Sequence, residues 1–384
     1  MDTQELTSLL EADQLKQILS AQGPCLSIYA LLAESPSDQG QYALRWKEII
    51  RGLERTHSED GEDVLELIRS VANWNDINRP EGARARSVAV FRSRDVFERV
   101  WLDERVDSKT VIAPHFFIRP LLPLFARERV FYILALSQKD VRLLRCTPTD
   151  SAVEKLGDVP TSFDEYMNTA KPDHVRDNRS TTGPSAGHTK GVMFGTDREM
   201  EDKQEHLAHF FKEIDRAVNT ALRDGKAPLV LAGVEYENAL YRTVNTYPKL
   251  LKQAVYGAPN GLKGGEMHAR ALEALQQEYE ARVEDFLEQY NHKSGGLAIH
   301  GVKDIVVAAH DGRVYLLLVS DSTDLTGRFE EETHQVKVRQ DGVPEEEDLL
   351  NDAAVQTILH SGQVLVAPNR QMPSGAAMAA LLRF

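Results

Sequence analysis

The amino-acid sequence predicts a mixed α/β (α+β) fold in three domains, the middle and C-terminal ones being α/β sandwiches with mixed sheets. Short apolar runs that suit buried strands alternate with stretches whose apolar residues recur at helical spacing. The 384-residue length accommodates two to four domains at about 100–200 residues each. Stretches without period, rich in glycine or threonine, break the pattern and place boundaries near residues 1–113, 114–260 and 265–384.

The first segment opens with helical spacing through Leu6, Leu9, Leu10, Leu15 and Ile18. CLSIYALL (Cys25–Leu32) follows as a buried strand, then helices from Tyr42 to about Leu53 and Val64 to about Val71. RSVAVFRS and DVFERVWL read as paired strands around Ser93–Asp95. A second unit opens near Phe116, where the two prolines of FFIRPLLPLF suit an extended lead-in. FYILALS and VRLLRCT are strands joined by Gln138-Lys139-Asp140, and SFDE at Ser162–Glu165 is a capping box.

Asn168–Thr196 is a long, aperiodic, polar stretch, and connections of this length are usually functional or disordered. It is locally basic: Lys171, Arg176, Arg179 and Lys190 stand against Asp173 and Asp177, with His174 and His188 besides. A second capping box, Thr196 with Glu199, starts a helix whose apolar face is Leu207, Phe210, Phe211, Ile214, Val218, Ala221 and Leu222. Asp224-Gly225 stops it, PLVLAGV is a strand, and a helix runs through Ala239–Tyr241. Gly257, Gly261, Gly264 and Gly265 mark a hinge at Tyr256–Glu266. The last unit reads as a polar helix at about Met267–Tyr290, a turn at Ser294-Gly295-Gly296, the helix LAIHGVKDIVVAAHDG ending at Asp311-Gly312, the strand RVYLLLVS, the helix EEDLLNDAAVQTILHSG, the strand GQVLVAP and a final AALLRF strand.

Net charge is −14, which argues against general nucleic-acid binding, DNA included. Residues 1–113 carry net −6, residues 114–264 net +2 and residues 265–384 net −10. Phosphate contact is therefore expected in the middle, and protein partners at the C-terminal third. The apolar runs are too short to span a bilayer, and the acidic, amphipathic N-terminus lacks signal-peptide character. With only Cys25 and Cys146, a reducing cytoplasm is expected and a multi-cysteine metal site is excluded. No cofactor is implied.

Short motifs add little. Gly183-Pro184-Ser185-Ala186-Gly187 has the G-x-S-x-G spacing of a nucleophile elbow but lacks the strand-turn-helix context that exposes the serine. Gly187-His188-Thr189 lacks the lysine of a P-loop. His206 and His209 sit one helical turn apart without the H-E-x-x-H arrangement and read as a solvated face. Glu330-Glu331-Glu332 and Glu345-Glu346-Glu347-Asp348 read as solvated loops or helix starts, with a docking surface for a basic partner as the other reading.

In their order, FFIRPLLPLFARERVFYILALSQKDVRLLRCT, GGLAIHGVKDIVVAAHDGRVYLLLVS and QTILHSGQVLVAPNRQMPSGAAMAALLRF resemble the archaeo-eukaryotic peptide-chain release factor/Pelota superfamily, in its bacterial, Balon-like branch. The resemblance implies an N-terminal domain that reaches the decoding region, a middle domain with a loop toward the peptidyl-transferase centre, and a C-terminal domain that docks a translational GTPase such as elongation factor Tu. By order of elements that loop is Asn168–Thr196, and it lacks the Gly-Gly-Gln that positions water in true release factors. The resemblance therefore implies a non-enzymatic, cytoplasmic factor on the A site of stalled or idle ribosomes, in hibernation or rescue. Lys171, Arg176, Arg179, His188 and Lys190 would contact rRNA phosphates, since lysine and arginine supply most backbone contacts. Two other readings remain: a hydrolase using Ser185 or His188 of the loop, and a stress-linked scaffold that binds proteins only.

Overall fold

A computed structural model describes residues 12–31, 42–72, 86–102, 105–123, 130–148, 150–170, 196–223, 225, 227–259, 264–292, 296–339 and 347–384. The chain forms two units: Met1–Arg129 with Tyr279–Phe384, and Val130–Glu278. The fold is mixed α/β, as the sequence predicts.

The first unit begins with α1 (Ala12–Ser20), β1 (Cys25–Leu31), α2 (Tyr42–Thr56) and α3 (Glu62–Ala72). β2 (Ser87–Arg92), β3 (Phe97–Leu102) and β4 (Lys109–Ala113) complete an antiparallel sheet in the order β3-β2-β1-β4. β1 is central and buried on both faces, so its period-2 alternation sends side chains into two cores. Leu26, Ile28 and Ala30 join Trp46, Ile50, Leu67 and Ile68 of the two helices behind the sheet. Cys25 and Tyr29 face the other way, with Phe91, Phe116 and Phe117.

That second core continues into the C-terminal part of the same unit. α8 (Val302–His310) and α9 (Leu349–Leu359) lie on one face of a mixed sheet ordered β10-β16-β11-β15. Its strands are β10 (Ala298–Ile299), β11 (Val314–Ser320), β15 (Gln363–Ala367) and β16 (Met378–Leu382), with β11 parallel to β15 and antiparallel to β16. Ile305, Ala309, Leu350 and Ala354 share one cluster with Tyr29, Phe91, Ile118, Leu317 and Ala380. The opposite face, with Leu318, Leu365 and Leu381, takes Val283 and Phe286 from the second half of α7 (Gly264–His292). A small sheet of β12 (Thr326–Glu330), β13 (Gln335–Arg339) and β14 (Glu347–Asp348) completes the unit.

The second unit is a sandwich on a five-stranded sheet ordered β7-β6-β5-β8-β9. β5 (Phe131–Ala135), β8 (Leu229–Gly233) and β9 (Leu250–Tyr256) run parallel, while β6 (Arg142–Cys146) and β7 (Ser151–Glu154) are antiparallel additions. α4 (Phe163–Ala170), α5 (Thr196–Ala221) and α6 (Glu235–Val244) cover one face through Phe163, Phe210, Ile214 and Tyr241. Met267, Ala271 and Ala274, from the first half of α7, cover the other against Phe131, Ile133 and Val230.

Several expectations are corrected. FFIRPLLPLF is not an extended lead-in: Arg119–Leu121 form a 3-10 turn with Pro120 in its first positions, and Phe116–Ile118 belong to the first unit's core. Gly264 and Gly265 of the expected hinge open α7, the hinge's residues 260–263 lie outside the described residues, and the two units divide inside that helix. Ala298 and Ile299 pair with β16 as β10, so the helix expected over LAIHGVKDIVVAAHDG begins only at Val302. Ala221 is exposed at the end of α5, and Ala217 takes its place on the buried face. The strands β4, β7, β9, β12 and β13 carry no clear sequence signal. β9 shows why: LLKQAVY buries only Leu251 and Val255 fully, as an edge strand can. By contrast, Gly225 (φ 59°) and Gly312 (φ 67°) take the left-handed conformation past α5 and α8, where the sequence places helix stops.

One prediction follows from the cores. Burial pushes the Cys25 thiol up to about 12, helped by the Glu347 carboxylate, and burial with Asp150 nearby does the same to Cys146. A thiol held there is neither ionised nor accessible at pH 8. The folded protein is expected to leave Ellman's reagent unchanged, and two thiols per chain should react once guanidinium unfolds it. Reaction of either cysteine before unfolding would contradict the burial of β1 or β6.

Candidate functional site

The loop residues expected to meet RNA, Lys171, Arg176, Arg179, His188 and Lys190, lie outside the described residues, as do Gly183–Gly187. What precedes and follows them is described. At the start of α4, Ser162 Oγ accepts from Glu165 N at 3.2 Å, and the Glu165 carboxylate reaches back to Thr161 N. This is the expected capping box, shifted by one residue at its return bond. The Phe163 ring lies 6.0 Å from Phe210, and Tyr166 lies 5.6 Å from it. Aromatic packing therefore joins the helices on either side of the loop.

Farther along α5, buried Asp215 accepts from Thr246 N at 3.0 Å and Thr246 Oγ1 at 2.6 Å. These charge-assisted bonds fix the helix to the connection between α6 and β9. His206 and His209 are exposed on α5, with Glu205 4.0 Å from His209 Nε2. They form the solvated face that the sequence implies.

A cluster of interlinked polar side chains lies in the first unit. It gathers side chains more than 200 residues apart in sequence. Asp348 caps α9, accepting from Leu350 N and Asn351 N, and it pairs with Arg119, which also pairs with Asp324. Asn351, 1% exposed, accepts from Ile118 N at 2.7 Å and Arg119 N at 3.1 Å, and donates to Phe116 O at 3.0 Å. Beside it, His115 Nδ1 lies 2.8 Å from Glu347 Oε1. One turn into α9, Asp352 lies 3.0 Å from His310 Nε2. His310 stacks on Phe329 at 3.9 Å between centroids.

The electrostatics follow from burial. Loss of solvent raises the Glu347 carboxyl, against the hydrogen bond from His115, and repulsion from Asp352 adds to the rise. The bond to Glu347 raises His115, against the effect of its own burial. Both shifts hold protons within the pair. Burial raises Asp348 as well, opposed by Arg119. His115, Glu347 and Asp352 each offer a ligand atom, all within 4.8 Å of one another, so these residues could hold a metal.

Sequence reasoning missed this cluster. It read Glu347 and Asp348 within a solvated acidic run. Asp348 is a helix start, but Glu347 is turned inward. His115, His310 and Asp352 carried no motif. The available signal was the pair Asn351-Asp352 inside the otherwise apolar LLNDAAV, since buried polar groups need partners.

Residues 130–313 match the family model described as bacterial archaeo-eukaryotic release factor family 3. No curated protein matches the chain. Among solved structures, an archaeal translation termination factor, aRF1, aligns at 15% identity over 97% of each chain with a TM-score of 0.20. A ribosome-bound archaeal Pelota with ABCE1 aligns at 15% identity over 78% of this chain and 77% of that one, with a TM-score of 0.40. S. cerevisiae Dom34, a translation termination-like factor, aligns at 14% over 75% and 73%, with a TM-score of 0.38. Superpositions this loose assign neither site nor activity. Residues 130–313, just under half of the chain, are thus similar to bacterial archaeo-eukaryotic release factor family 3.

Proposed function

We propose that this chain is a ribosome-associated translation factor that occupies the A site of stalled or idle ribosomes, in hibernation or rescue, without hydrolysing peptidyl-tRNA. The observation that carries the reading is a release-factor family match over residues 130–313 in a sequence with no Gly-Gly-Gln anywhere. Without that tripeptide, the side chain that orients water at the ester is missing. The basic residues of the loop supply phosphate contacts in a chain otherwise charged against RNA. The net −10 of residues 265–384 suits a protein partner, and a translational GTPase such as elongation factor Tu is the proposed one.

Co-sedimentation with vacant and with stalled ribosomes tests the binding step. A release assay on programmed ribosomes tests the chemistry: labelled peptide should stay on tRNA at the background rate. Codon-dependent release above that rate would overturn the non-catalytic part of the reading. Failure to sediment with any ribosome would overturn the whole.

A further inference from the structure

We propose that His115, Glu347 and Asp352 form a Zn²⁺ site that ties the segment after β4 to the start of α9, with His310 orienting Asp352. The three ligand atoms come from residues that fold into one spot, all within 4.8 Å of one another. A tetrahedral zinc with bonds of about 2.0–2.2 Å holds its ligand atoms roughly 3.5 Å apart, so small side-chain rotations close the site. Glu347 and Asp352 are 13% and 2% exposed, and among the described residues both pair only with histidines. Nearby Arg119 is engaged by Asp348 and Asp324. Buried Asp352 and half-buried Glu347, which repel one another, thus face titratable imidazoles, and a divalent metal supplies a permanent positive charge there.

Ligand chemistry selects the ion. An imidazole nitrogen with two carboxylates suits zinc, whereas Mg²⁺ and Ca²⁺ prefer oxygen alone. His310 stands on Asp352 as an outer partner, a role that commonly orients a metal-ligating group. His115 is 20% exposed, which leaves a path for the ion and for a water as fourth ligand.

The test uses the full chain, stripped with a chelator, in a His206→Gln, His209→Gln background that removes the exposed pair on α5. Zn²⁺ is titrated calorimetrically, and Co²⁺ serves as a spectroscopic probe. One Zn²⁺ per chain should bind, Co²⁺ should give the intense visible bands of tetrahedral coordination, and the melting temperature should rise with metal and fall with chelator. Glu347→Gln and His115→Gln should abolish stoichiometric binding, and His310→Gln should weaken it about 10–100-fold. Should those variants not fold, Zn²⁺ protection of His115 from diethyl pyrocarbonate in the parent chain decides the matter. Absence of stoichiometric binding, binding unchanged in folded Glu347→Gln, or no protection of His115 would each reduce the cluster to hydrogen-bonded ion pairs.

Discussion

Replacing Lys171, Arg176, Arg179 and Lys190 together with alanine is expected to weaken ribosome binding and flatten its salt dependence. Each lysine or arginine that neutralises a phosphate releases counterions, so the logarithm of affinity falls linearly with the logarithm of salt, by about 0.7–0.9 per phosphate neutralised. Removing all four charges should reduce that slope by roughly three, so the gap between wild type and variant narrows on the order of 50-fold between about 50 and 200 mM salt. Melting should be unchanged, because Phe163, Tyr166 and Phe210 hold the flanking helices together. Parallel salt series for the two proteins would show that the loop carries no RNA contact, and a scaffold that binds proteins only would then fit better.

The largest expected stability effect lies in the first unit. Asn351→Ala removes one side chain that serves three main-chain groups: the N–H of Ile118, the N–H of Arg119 and the carbonyl of Phe116. Stranded buried polar groups cost about 1–3 kcal/mol each, so losing three should destabilise by roughly 3 kcal/mol or more. The turn at Arg119–Leu121 would lose its anchor to α9, and with it the seating of Phe116 and Ile118. All three tryptophans, Trp46, Trp74 and Trp101, fall within Met1–Arg129, so their fluorescence in a urea series follows the first unit. A surface control, His206→Gln, should stay within about 0.5 kcal/mol of the parent. A loss under about 1 kcal/mol for Asn351→Ala would mean that water replaces its bonds, and that the joint between residues 116–119 and α9 is not a stabilising one.

These two results bear on different kinds of legibility. β1, β2, β3, β5, β6, β11 and β16 announce themselves through short apolar runs, and α5 through its apolar stripe, because burying a face imposes a period on the chain. β9 and the β12–β13 hairpin do not. Their residues alternate weakly, and main-chain pairing defines them. The glycines at 264 and 265 misled in the same way: local freedom indicated a break, but the packing of Met267, Ala271 and Ala274 carries a helix through that end.

By itself, the sequence determined the fold class, most of the buried strands, the helix stops at Gly225 and Gly312, the basic character of residues 168–196 and the absence of Gly-Gly-Gln. Each is a property of neighbouring residues, written in period, composition or a short motif. Only the tertiary structure decided that the strand around Tyr29 and the helices around Ile305 and Leu350 share one core, and that His115, His310, Glu347 and Asp352 meet. Contacts between residues some 40 to 230 positions apart leave no period in the chain. They form because Asn351 and Asp352 are carried inward by an apolar helix and must find partners there, and those partners lie on segments that no local pattern connects.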